Sequence, residues 1–154
     1  MPGEHERVVP FDIGVRWDPN GSDPLLIQED RQAALIVGPH FDDLGKGLVV
    51  IRVDGCDGVW LGPPNDEGVS GHRLWNQGLN GCLWAGEVHY SRWIEELERV
   101  ASVHHRYTPG ARADLRHWIL LFKEKTAEVL GTRLSYSFAD PSLWVPPSAF
   151  RDLS

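Results

Sequence analysis

Basic side chains are in short supply. Fifteen Lys and Arg face twenty-two Asp and Glu, for a formal net charge of −7 and a pI near 5.4. No local basic cluster compensates, which argues against nucleic acid as a partner, because phosphate backbones are held by a surplus of cations. Two cysteines, Cys56 and Cys82, are too few for a disulfide scaffold and read as small buried hydrophobes. No apolar run approaches the ~18 residues that span a bilayer, so no membrane association is expected. The first residues, MPGEHERVVPFD, carry two glutamates and no apolar core of a signal peptide, and cytoplasmic residence is the expectation.

Signature motifs are absent as well. Without a Walker loop or GxGxxG, nucleotide cofactors are not expected, and there is no GxSxG elbow. His72, His89, His104, His105 and His117 with Asp66 and Glu67 supply ligand types, but no HExxH, HxH or paired-cysteine spacing joins them. Neither a metal nor any other cofactor is therefore assigned.

What the chain does contain is a long polar crossover. Gly62 to Leu79, GPPNDEGVSGHRLWNQGL, has almost no hydrophobic periodicity. A connection of that length is rarely kept in a compact domain without a use, since ordering it costs backbone entropy. Asp66, Glu67 and His72 offer proton transfer or ligand contacts. Trp75 is either an anchor packing the loop down or the wall of a binding site. The other six tryptophans, at 17, 60, 84, 93, 118 and 144, are mostly core candidates, each able to bury on the order of 200 Å².

The length of 154 residues reads as one domain, 1–154, with a loose N-terminal arm (1–10) and an extended proline-containing tail (140–154). Phe11–Trp17 reads as a short strand. Leu25–Gln28 and Ala33–Val37 read as a hairpin, Gly47–Val53 as the clearest strand, and Val59–Leu61 and Leu83–Tyr90 as further strands. Ser91 stands at a helix N-cap, and Trp93, Ile94, Leu97, Val100 and Ala101 follow at helical spacing on one face. Arg116–Glu124 and Thr126–Tyr136 read as a last hairpin. The sum is a mainly β (α+β) fold: an antiparallel curved sheet, sandwich or open barrel with one principal helix near 91–103.

Two strands carry titratable groups in alternation. Period two puts Leu83, Ala85, Glu87 and His89 on one face, and His117, Ile119, Leu121 and Lys123 on one face of the later strand. If these strands lie together, His117 approaches Glu87 and His89 as an acid–base group. The competing reading leaves Glu87 and His89 on a solvated polar face.

PNDEGVSGH (Pro64–His72), Gly78-Leu79, EVHYSRWIEEL (Glu87–Leu97) and LRHWILLFKEKTAE (Leu115–Glu128) together resemble a family of small uncharacterised bacterial proteins. The resemblance spans roughly residues 48 to 130 and implies no catalytic role. It implies that the long crossover and the Ser91–Ile94 helix start form one structural unit; Lys123 departs from the histidine expected there.

The functional expectation is a small-molecule-binding protein, whose enzymatic form would be a cofactor-independent acid–base enzyme of isomerase, cyclase or lyase type. Glu87, His89, His117 and His72 are its catalytic candidates, and Asp66, Glu67 and Trp75 its ligand-binding ones. The alternative is a protein-interaction module, of an immunity or antitoxin-like kind, whose acidic balance suits a basic protein partner; a homodimer is also compatible.

Overall fold

The computed structural model describes residues 4–21 and 23–143. Among them nine strands form two antiparallel sheets, with one α-helix. The strands are β1 (Arg7–Pro10), β2 (Leu25–Glu29), β3 (Gln32–Val37), β4 (Leu48–Asp54), β5 (Gly58–Gly62), β6 (Ala85–His89), β7 (Arg116–Leu121), β8 (Thr126–Gly131) and β9 (Arg133–Ala139). The helix, α1, is Arg92–Ala101. One sheet runs β1-β6-β7-β8-β5 and the other β2-β3-β4-β9, so neither closes into a barrel.

The sheets share one apolar core. Alternate residues of β3 and β4 (Ala33, Leu35, Val37; Val49, Ile51, Val53) meet Trp118 and Leu120 of β7 and Ala127 and Val129 of β8. That is the period-two logic of an antiparallel sandwich, with β-branched side chains filling the pleat. Trp17 is fully buried here, stacks on Phe122 at 5.2 Å, and donates its indole N–H to the Leu121 carbonyl at 2.9 Å.

The five-stranded sheet is covered on its other face too, and β8 is buried along its whole length. The crossover 63–84 lies against it as three short 3₁₀ turns, Val69–Gly71, Trp75–Gln77 and Leu79–Gly81. Leu74, Leu79 and Cys82 pack with Val8, Val88 and Ile119 into a second apolar cluster. Gly78 makes the approach possible: its φ is +113°, and a Cβ there would come within 2.0 Å of the Val8 carbonyl oxygen. α1 follows β6 in the chain, and its Trp93 packs against His117 of β7. Its N-cap Ser91 accepts the Ile94 N–H at 3.1 Å, as the sequence led us to expect.

Four boundaries differ from the sequence reading. The segment 1–10 is no loose arm where it is described: Arg7–Pro10 is an edge strand on β6. Glu6 is buried and accepts the Arg92 N–H at 2.7 Å. Phe11–Trp17 is irregular apart from a single bridge between Trp17 and Pro39, because the Asp12 carboxylate takes the Gly14 N–H and Gly14 turns the chain at φ +98°. Thr126–Tyr136 is two strands, broken at Thr132, whose N–H reaches the Asp54 carbonyl as the chain crosses between sheets. Of the tail expected over 140–154, Pro141–Leu143 forms a 3₁₀ turn, and 144–154 lie outside the described residues.

Both cysteines are buried and free, and burial pushes both thiols above their usual pKa. Among the described residues, no helix is long and apolar enough to cross a membrane.

Candidate functional site

The sheet alternation that sends Trp118 and Leu120 into the sandwich sends His117 and Ile119 to the opposite face. In the β7–β8 register, Ile119 pairs with Glu128 and His117 with Leu130. Glu128 is thus the diagonal neighbour of His117 on the face under the crossover and α1. The carboxylate and the imidazole are both buried, with His117 Nε2 2.9 Å from Glu128 Oε1.

Three elements converge on this pair. From α1, Ser91 Oγ lies 2.7 Å from His117 Nδ1. The hydroxyl oxygen already accepts the Ile94 N–H, so its proton is free to go to Nδ1, which leaves the His117 Nε2–H for Glu128. From the crossover, Arg73 grips Glu128 with two bonds of 2.9 Å each. His72 accepts the Leu74 N–H at Nδ1, 3.0 Å, which puts its proton on Nε2, 3.3 Å from Glu128 Oε2. Trp93 of α1 packs its ring edge-on against His117, centroids 5.4 Å apart.

Burial alone would push the Glu128 carboxyl up. The bonds from His117, His72 and Arg73 outweigh it and hold the group far below the usual carboxylate range. Arg73 is in turn held above its ordinary value, chiefly by its bonds to Glu128. Glu128 is therefore an ionised anchor, not a proton acceptor at neutral pH.

Above the network opens a cleft of about 670 Å³, bordered by Trp60, Trp93, His72, Arg73, Arg92, Glu96 and Glu128. Two glycines of β5 shape it. A Cβ on Gly58 would come within 2.7 Å of the Trp93 ring, and one on Gly62 within 3.0 Å of the Trp60 ring. Any larger residue at these positions would displace the indoles. Glu96 is bound by Arg99 through two hydrogen bonds. Among the described residues, the Arg92 guanidinium has no hydrogen bond or ion pair; only its backbone N–H is engaged, by Glu6.

Of the residues singled out in the sequence, His72 and His117 meet, through Glu128. Glu87 and His89 do not join them. Glu87 pairs with Trp118 and Val88 with His117, so Glu87 and His89 face away from the His117 ring. Glu87 binds the Arg116 guanidinium instead, and both it and His89 border a separate hollow of about 840 Å³. Asp66 and Glu67 are exposed rather than turned inward. Asp66 donates its N–H to the Lys123 carbonyl and lies 3.5 Å from the Lys123 ammonium. Trp75 is half-buried against the second apolar cluster and, with Asp66, also borders a hollow of about 380 Å³.

Glu128, Arg73, Ser91, Trp93 and Trp60 were not picked out as site residues. Glu128 left one trace: it is the lone charge in the apolar run TAEVLG, where a buried strand has no reason to keep a carboxylate without partners. No group of three or more His, Cys, Asp or Glu side chains among the described residues is arranged to hold a metal ion. Comparison with protein-family models, with curated proteins and with solved structures gives no match.

Proposed function

We propose that this protein binds a small molecule in the cleft between β5, α1 and the crossover, and that the charged network beneath is its support. The observation that carries the reading is the cleft itself: two indoles and a guanidinium without a partner among the described residues border one cavity of about 670 Å³. Mainly apolar walls with a few convergent polar groups are the usual build of a ligand site.

Binding is favoured over acid–base turnover. Both ring nitrogens of His72 and both of His117 are engaged within the protein. Proton transfer by either ring would first require breaking a buried bond. The network instead fixes the crossover and the helix start, and thereby the positions of Arg73, Arg92 and Trp93, in the way supporting bonds pre-organise a binding site.

Ligand-observed NMR of the full chain against a fragment library tests this. Hits should lose their signal with Trp60→Ala, a substitution at a 43% exposed ring that spares the core. A library with no hits, or hits indifferent to Trp60→Ala, contradicts the proposal.

A further inference from the structure

We infer that the ligand of this cleft is a planar organic anion, an aromatic carboxylate being the simplest member, with Arg92 as its counter-charge. The inference rests on the cleft being the ligand site.

Few polar groups bordering the cleft remain uncommitted. Glu128 is neutralised by Arg73 and bonded by both imidazoles. The His72 ring accepts a backbone N–H at one nitrogen and faces Glu128 with the other, so it offers a ligand neither donor nor acceptor. Glu96 is occupied by Arg99. The one charged group bordering the cleft without a partner among the described residues is the Arg92 guanidinium. A neutral polyhydroxylated ligand would find almost nothing left to pair its hydroxyls, and burying them unpaired is costly. A cationic ligand would face Arg92 with no uncommitted carboxylate to answer it. An anion finds a planar fork of donors that matches a carboxylate in two-bond geometry.

Planarity follows from the walls. Gly58 and Gly62 remove the side chains that would ridge β5, so both indoles lie close to the strand. Trp60 leaves 43% of its surface open and borders the same cleft as Arg92, offering an aromatic surface to a ligand there. Flat rings stack on such a surface in offset or edge-on geometry, with a gain beyond area alone.

The test is calorimetric titration of the full chain with 1-naphthoate and with 1-naphthamide, which has the same ring and no charge. The naphthoate should bind at least about tenfold more tightly, the margin of a charge-assisted pair over a neutral one. Arg92→Gln, on an exposed side chain, should bring the naphthoate down to the amide's affinity and leave the amide unchanged, with the melting temperature of the protein preserved. Trp60→Ala should weaken both. Equal binding of the two compounds, both sensitive to Trp60→Ala, overturns the anionic class and leaves the cleft standing. Binding indifferent to Trp60→Ala, or no binding of either compound at millimolar concentration, overturns the cleft as well.

Discussion

The two faces of the five-stranded sheet are both buried, yet by different physics. On the inner face, Trp118, Leu120, Ala127 and Val129 meet the second sheet through apolar contact alone. On the outer face, His117 and Glu128 sit among apolar neighbours and meet Arg73, His72 and Ser91. The inner face is governed by shape and volume, so volume-conserving hydrophobic swaps are tolerated best there. The outer face adds to its apolar cluster a set of directional bonds to one carboxylate, which specify where the crossover and helix start must sit.

Removing the carboxylate is the largest way to break the contrast. Glu128→Ala strands the Arg73 guanidinium and two imidazoles, and should lower unfolding free energy by about 3–5 kcal/mol in urea titration. Leu120→Ala on the inner face should cost a similar amount, about 2–5 kcal/mol, by leaving a cavity. Size alone does not separate the faces.

Acid does. The Glu128 carboxyl is held far below its ordinary value in the folded chain, so its contribution is complete above about pH 5, where the unfolded carboxyl is also ionised. As pH falls further, the unfolded chain takes up a proton that the folded chain resists, and the contribution shrinks toward the folded value. Glu128→Gln, less stable at neutral pH, should therefore show a shallower fall in stability between about pH 5 and pH 3. Leu120→Ala should fall in parallel with the unaltered protein; parallel curves for both variants would erase the distinction between the faces.

Ser91→Ala removes an N-cap and the hydroxyl partner of His117 together. A loss of about 1–2 kcal/mol is expected, with the helix start as the site of increased amide exchange. At the bottom of the scale, Asp66→Asn touches only an exposed ion pair with Lys123 and should change stability by less than about 0.5 kcal/mol. A larger loss would mean that the acidic end of the crossover carries weight the geometry does not give it.

Local chemistry in the sequence foretold much of this. Ser91 before an apolar helical stripe announced α1. The β-branched run of β4 announced a central strand. His72 and His117 stood out as reactive types, and the crossover carrying His72 does fold over a sheet. What stayed hidden depends on pairing between distant strands. Whether Glu87 or Val88 stands beside His117 is set by the β6–β7 register, and one residue of slip would have exchanged them. Asp66 and Glu67 drew attention by charge, whereas Leu74 and Leu79 hold the crossover down by burial. Glu128 was masked by the apolar strand around it, since alternation cannot say which side of a doubly covered sheet has polar company.

Arg73 adds to the apolar anchoring by Leu74 and Leu79 a charge-assisted bond that ties the crossover to Glu128. A double-mutant cycle with Arg73→Ala and Glu128→Gln, read by urea unfolding at neutral pH, measures that bond. A coupling of about 1.5–3 kcal/mol is predicted, the range for bonds to charged groups. Additive losses, within about 0.5 kcal/mol, would contradict the account.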